Sequence, residues 1–125
     1  MREIKFRAWD KVARRMYNDF LQFVEDAIYR HQGNPWHDTR FIPMQFTGLK
    51  DSSGNDIYEG DVMEFGPSKT SVAGPYSPLA EEGTIIPVVY KEGKFQLEES
   101  DLYDCLRWHE MEIIGNIYEN PELLK

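Results

Sequence analysis

Carboxylates, histidines and one cysteine are the residues of this chain that could do chemistry, but their spacing matches no catalytic or metal-binding motif. Glu59 and Asp61 form an acidic pair, yet two carboxylates alone lack the further ligands that a metal site requires. Together with Asp51 and a histidine they would suit a metal-assisted hydrolase, which is the weakest of three functional hypotheses. The sequence therefore predicts no catalytic, cofactor-binding or metal site.

The histidines and the cysteine are better explained as structural residues. The three histidines are His31, His37 and His109. They show no H-E-x-x-H spacing, and no paired cysteines accompany them. The single cysteine, Cys105, rules out an intrachain disulfide, and its acidic neighbours Asp101 and Asp104 would disfavour a thiolate.

The segment KDSSGND at residues 50–56 has a superficial likeness to a calcium-binding loop. Counted from Asp51, the twelfth position is Val62, where an EF-hand loop needs a glutamate. We therefore interpret the segment as a plain hairpin turn. The two flanking strands are predicted to be held together by Gly48, Gly54, Gly60 and Asp61. Glycine adopts backbone conformations closed to other residues, and aspartate accepts hydrogen bonds from nearby backbone N–H groups.

Charge is unevenly distributed along the chain, which has a net charge of −8. Residues 1–17 carry six basic and two acidic residues, which leaves −12 on the rest. An acidic body repels nucleic acid, so this basic segment is the one place where a polyanion could dock. The candidate binding surface consists of Arg2, Lys5, Arg7, Trp9, Arg14 and Arg15. The alternative, in which these charges pair with acidic residues of the same chain, is the one we favour.

Composition predicts one folded domain over residues 1–125, since 41% of the residues are apolar and 29% are charged. No apolar run is long enough to cross a bilayer, and the N-terminus lacks the apolar segment of a signal peptide. We therefore expect a cytoplasmic protein with no membrane segment.

The N-terminal half is predicted to be mostly strand with one helix. Residues 3–9 alternate, with Ile4, Phe6 and Ala8 facing the core, and residues 14–17 return as a short second strand. Helical spacing of apolar residues predicts a helix near residues 19–31. Residues 39–46 are predicted as a strand, which Pro43 would confine to a sheet edge.

The C-terminal half is also strand-rich. Residues 57–65 are predicted as one strand entered through Gly60, and residues 66–82, with three prolines and two glycines, as a mobile loop. Residues 84–90 and 94–98 form a hairpin with Gly93 in a left-handed conformation. A last strand over residues 112–118 carries Gly115, where a bulge or a close backbone approach is expected. The fold class is therefore mainly β with one helix: a small antiparallel barrel or strongly bent sheet, in a single domain.

Three sequence blocks carry a family resemblance: REIKFRAWDKVARRM at residues 2–16, QFTGLKDSSGNDIYEGDVMEF at residues 45–65 and IIGNIYENPEL at residues 113–123. Together they resemble the YopX family of phage and prophage proteins. The resemblance implies a phage or prophage gene in a bacterium and a mainly β fold. It implies no activity, and no functional residues follow from it.

Three functional hypotheses remain. The first is a non-catalytic module that binds a phage or host protein, or forms a homo-oligomer. It is suggested by a surplus of large amphipathic rings, which are over-represented at interfaces. The second is a small nucleic-acid-binding barrel that uses the basic N-terminal segment, with Trp9 stacking on bases. The third is the hydrolase described above.

Overall fold

The computed structural model describes residues 5–19, 22, 25, 40–69, 81–98 and 100–124. Chain contacts group residues 1–46 and residues 47–125 into two compact units, and each is described by itself. The strands are β1 (Phe6–Asp10), β2 (Arg15–Tyr17), β3 (Phe41–Lys50), β4 (Asp56–Tyr58), β5 (Asp61–Ser68), β6 (Ile85–Lys91), β7 (Lys94–Leu97), β8 (Ser100–Asp101) and β9 (His109–Asn116). The helices are α1 (Leu102–Trp108) and a 3-10 turn, Pro121–Leu124.

Strand dominates the described part of the chain and the strands pair antiparallel, which confirms the predicted mainly β fold class. The strands form two sheets, in the orders β2-β1-β3-β4 and β8-β7-β6-β5-β9. One of the two sheets curls strongly into a half-barrel, as the prediction of a bent sheet or small barrel requires. The assignment of residues 1–125 to a single domain stays a prediction.

In the first unit, β1 lies between β2 and β3. The hairpin predicted for residues 3–9 and 14–17 is present, with Ala8 opposite Tyr17. The predicted core face is partly wrong, since Phe6 is 37% exposed whereas Arg7 and Trp9 are buried. Because successive residues of a strand point to opposite faces, the burial of residues 7–10 means that both faces of this strand are covered.

Pro43 does not mark an edge strand, so that prediction is wrong. It lies in β3, opposite Ala8, and β3 has β1 and β4 as its neighbours in the sheet. The Phe46 N–H donates to the Lys5 carbonyl at 2.9 Å, so these two residues form a hydrogen-bonded pair. Bonded and non-bonded pairs alternate along an antiparallel ladder. Pro43 therefore occupies a non-bonded position, and β1 requires no N–H from it.

In the second unit, β5, β6, β7 and α1 each supply two residues of a buried core, to which β4 and β9 add one each. The core residues are Ile57, Met63, Phe65, Ile86, Val88, Phe95, Leu97, Leu102, Cys105 and Met111. The β6–β7 hairpin turns through Glu92 and Gly93, whose φ values are 54° and 83°. Two central residues with positive φ are characteristic of the tight hairpin turn that matches strand twist. The left-handed conformation predicted for Gly93 is confirmed.

Helix α1 was not predicted, although its cap has a clear sequence signal. The Asp101 carboxylate accepts a hydrogen bond from the Tyr103 N–H, which is a standard N-cap contact. The helix predicted near residues 19–31 lies outside the described residues except at three positions. Gln22 and Glu25 are helical, and the Asp19 carboxylate accepts from the Gln22 N–H at 3.3 Å.

The structure of the second unit differs from the predicted strand and loop bounds at two places and confirms one predicted irregularity. The single strand predicted over residues 57–65 is broken at Glu59 and Gly60 into β4 and β5. The loop predicted over residues 66–82 begins later, since β5 continues to Ser68, and residues 70–80 lie outside the described residues. The irregularity predicted at Gly115 is confirmed by a register shift in β9, because Met63 pairs with Ile113 and Val62 with Gly115.

Candidate functional site

The turn that joins β3 to β4, residues 51–55, is the most densely hydrogen-bonded polar site in the described part of the second unit. The buried Asp51 carboxylate accepts from the backbone N–H groups of Ser53 at 3.0 Å and Asn55 at 2.8 Å. Its second oxygen accepts from the Ile113 N–H at 3.1 Å. One carboxylate therefore closes the turn on itself and also fixes the turn to strand β9.

Ser52 continues this contact along β9 as a strand residue would. Its N–H donates to the Met111 carbonyl and its hydroxyl accepts from the Met111 N–H, both at 2.9 Å. Next to it, the Ser53 hydroxyl donates to the Glu112 carboxylate. β9 ends the five-stranded sheet, and an unpaired strand edge is open to pairing with another chain. The turn 51–55 caps that edge over residues 111–113.

Gly60 and Asp61 form a second structural site, at the break between β4 and β5. Gly60 has a φ of 89°, and its N–H donates to the Val88 carbonyl at 2.9 Å. Its own carbonyl accepts from the Ile117 N–H at 2.9 Å. Asp61 is buried and accepts from the Tyr58 N–H at 2.8 Å. Gly54, in the turn between β3 and β4, has a φ of 87°, and Gly48, inside β3, has a φ of 85°.

Two of the carboxylates considered for metal-assisted hydrolysis, Asp51 and Asp61, are thus engaged in holding turns. Asp51 and Asp61 each accept hydrogen bonds from backbone N–H groups, and among the described residues no three His, Cys, Asp or Glu side chains are grouped to hold a metal ion. His109 is buried against the Phe65 ring, with its Nδ1 atom 3.3 Å from the Gly66 carbonyl oxygen. His31 and His37 lie outside the described residues.

The Cys105 thiol is buried in the core of the second unit. Burial raises the pKa of this thiol to about 12, and the negative charges of Asp104 and Asp101 add to the effect. Since the thiolate is the reactive form of cysteine, Cys105 is a packing residue, as the sequence predicts.

The six residues of the predicted binding surface are separated by burial. Arg7 and Trp9 are buried, and Lys5 is partly buried with its ammonium group 4.4 Å from the centre of the Phe46 ring. Arg14 and Arg15 are exposed, and the Arg15 guanidinium lies 4.6 Å from the centre of the Tyr17 ring. Arg2 lies outside the described residues.

Asp10 organises the turn between β1 and β2, a role that the sequence analysis missed. Its carboxylate is fully buried and accepts from the Val12 and Ala13 N–H groups, both at 3.0 Å. The Arg40 guanidinium donates to both carboxylate oxygens, at 2.7 and 2.9 Å. An aspartate at the start of a turn is itself a signal for the backbone contacts. Nothing in the sequence pairs it with an arginine thirty residues away.

Comparison with known proteins identifies the family of the chain. The family model described as YopX protein matches residues 5–125. The chain belongs to the YopX family. Among solved structures it is similar to the crystal structure of protein EF1440 from Enterococcus faecalis, with 26% identity, a TM-score of 0.66 and 100% of both chains covered. No curated protein matches the chain.

The part of the chain that most resembles YopX proteins can now be related to its geometry. Residues 45–65 include the turn that caps β9 and the Gly60–Asp61 break. The block at residues 113–123 includes Gly115, where an added Cβ would lie 2.5 Å from the Asn120 Oδ1 atom. That oxygen accepts from the Asn116 N–H. In this YopX chain both blocks therefore specify backbone turns and close contacts. The described helices include none long and apolar enough to cross a membrane.

Acid should destabilise this YopX chain through Asp10 and Asp51. Burial raises the pKa of Asp10, but the Arg40 bond and the backbone N–H groups outweigh it and lower the pKa below 3.8. Burial likewise raises the pKa of Asp51, and hydrogen bonds from Asn55, Ile113 and Ser53 lower it below 3.8. A carboxyl with a lowered folded-state pKa stabilises the fold above its unfolded pKa and loses that contribution as pH falls through the folded value.

We therefore expect the urea midpoint to fall as pH is lowered from about 5 to about 2, with Asp51→Asn showing a shallower dependence. A midpoint independent of pH over this range would contradict the assignment of these two carboxylates.

Proposed function

We propose that this YopX-family member is a non-catalytic, cytoplasmic module, encoded by a phage or prophage, that binds a phage or host protein. The proposed phage origin rests on membership of the family. The proposed binding of a protein rests on exposed aromatic and basic side chains of the second unit. A homo-oligomer is a special case of the same proposal, in which the partner is a second copy.

The supporting observation is the outer face of α1. Leu102 and Cys105 turn inward and are buried, whereas Tyr103 is 59% exposed and Arg107 is also exposed. Tyr103 and Arg107 are four residues apart, which places them on one face of a helix. The Arg107 guanidinium lies 5.2 Å from the centre of the Trp108 ring.

Tyrosine, tryptophan and arginine are the residue types that dominate binding energy at protein interfaces. A seven-residue helix with an exposed tyrosine and an exposed arginine, and with a partly buried tryptophan beside that arginine, is therefore suited to contact a protein. In the same unit, Tyr90 at the end of β6 is 53% exposed and packs edge-on against Phe95 at 5.1 Å. Packing of this kind restricts the ring before binding, which lowers the entropic cost of an interface.

The test is affinity purification from phage-infected bacteria, with half of each lysate treated with nuclease. We expect a protein partner that survives nuclease and is lost with Tyr103→Ala/Arg107→Ala. The matched control, Gln22→Ala/Lys50→Ala, removes one cation and one neutral side chain that are also exposed, and should retain the partner. Recovery of nucleic acid alone, or a partner held equally by both variants, would contradict the proposal.

A further inference from the structure

The loop between β1 and β2 is an exposed cluster of positive charge. We name residues 11–15 the basic tip: Lys11, Val12, Ala13, Arg14 and Arg15. All five residues are exposed, and three of them are cations. Val12 is 70% exposed, the largest exposed fraction among the large hydrophobic residues that the structure describes. The tip therefore presents an apolar side chain among cations.

The backbone of the basic tip is held by bonds from both ends. The Asp10 carboxylate accepts from the Val12 and Ala13 N–H groups, and the Asp10 carbonyl accepts from the Arg14 N–H at 2.8 Å. Arg40 secures the base, since its guanidinium binds the Asp10 carboxylate and its carbonyl accepts from the Lys11 N–H at 2.9 Å. A pre-organised loop loses less conformational entropy on binding than a flexible one.

Arg14 occupies a strained position in this loop. Its φ is 57°, in the left-handed region, where glycine or asparagine is favoured over a long side chain. Retaining arginine there costs about 1 kcal/mol relative to glycine.

We propose that the basic tip binds an acidic surface on a partner protein, with Val12 in apolar contact at the centre of the three cations. A protein fits better than nucleic acid for two reasons. Trp9 and Arg7 are buried, so this segment offers no stacking platform for bases from β1. Residues 18–125 carry −12, which repels an extended polyanion.

The experiment measures binding of two labelled probes of equal charge at low salt: a short glutamate-rich peptide with one central leucine, and a single-stranded oligodeoxynucleotide. We expect Lys11→Gln/Arg14→Gln/Arg15→Gln to weaken peptide binding by about tenfold or more. The matched control Lys50→Gln/Lys91→Gln/Lys94→Gln removes the same charge from exposed lysines elsewhere and should change binding by less than about twofold. The bonds from the Val12, Ala13 and Arg14 N–H groups to Asp10 involve no basic side chain, so glutamine leaves them intact. Arg15→Gln also removes the contact with the Tyr17 ring, so circular dichroism checks the fold.

Val12→Ser separates the two partner classes. It should weaken binding of the leucine-containing peptide by about threefold and leave oligonucleotide binding unchanged, because only the peptide offers an apolar contact. If the basic-tip variant and the lysine control lost peptide binding equally, the basic tip would not be the binding site. Tighter binding of the oligonucleotide than of the peptide would overturn the acidic protein as its partner. The tip variant can also be used in the affinity purification from phage-infected bacteria. If it still captured the protein partner, the proposed function would stand and the basic tip would be excluded as its binding site.

Discussion

Replacing Asp51 with alanine should lower the free energy of unfolding by about 3 kcal/mol, because three backbone N–H groups lose their acceptor at once. Those donors belong to Ser53, Asn55 and Ile113, and the carboxylate that serves them is only 6% exposed. Water can reach the N–H groups of the exposed residues Ser53 and Asn55 more easily than it can reach the N–H of Ile113. Most of the loss should therefore come from the contact with β9. Urea unfolding measures it directly.

The control for Asp51→Ala is Asp56→Ala in the same hairpin. Asp56 is 29% exposed at its side chain and forms an ion pair with Lys50 at 3.3 Å, so its loss should cost less than about 1 kcal/mol. Equal effects of the two substitutions would show that the Asp51 carboxylate does not hold the turn. Asp51→Asn should fall between them, since the amide oxygen keeps one acceptor while its NH₂ group would face a donor.

Asp51 also has a role beyond stability, because together with Ser52 it closes the free edge of β9. Met111 has both of its backbone groups bonded to Ser52, and Ile113 donates to Asp51. The turn 51–55 thus occupies the positions beside β9 that a further strand would take. Natural sheets protect their edges by such devices against pairing with other chains. The turn is consequently an edge cap over residues 111–113 of β9.

Local signals account for what the sequence predicted correctly. The β6–β7 hairpin follows from alternating apolar residues around a glycine, and the bulge at Gly115 follows from a glycine inside a strand. The positive φ of Gly60 has the same origin, since the turn is encoded by adjacent residues. These features depend on a few neighbouring residues and little on the rest of the fold.

Contacts between distant residues account for what was missed. Arg40 reaches Asp10 across thirty positions, and Ile113 reaches Asp51 across sixty-two, so neither pair leaves a local pattern. Trp9 was expected on a binding surface because alternation alone does not reveal that both faces of β1 are covered. Pro43 was misplaced for a related reason, since only the ladder register shows that it needs no donor there.

Gly60→Val should be the other strongly destabilising substitution, lowering the free energy of unfolding by about 3 kcal/mol. A φ of 89° is outside the range that a β-branched residue tolerates, which alone costs more than about 1 kcal/mol. Gly60 is also buried, and its N–H and carbonyl bind Val88 and Ile117. A shift of its backbone to accommodate valine would therefore break two hydrogen bonds between separate segments.

Gly54→Val is the matched control, because it imposes the same backbone strain without the packing. Gly54 has a φ of 87°, and a Cβ added there would meet no atom within 4 Å. Its cost should be limited to the conformational term of about 1 kcal/mol. The difference between the two valine variants in thermal and urea unfolding thus isolates the contribution of the buried bonds to Val88 and Ile117. If both variants unfold at the same midpoint, those bonds add nothing, and the Gly60 break between β4 and β5 serves only to reverse the chain.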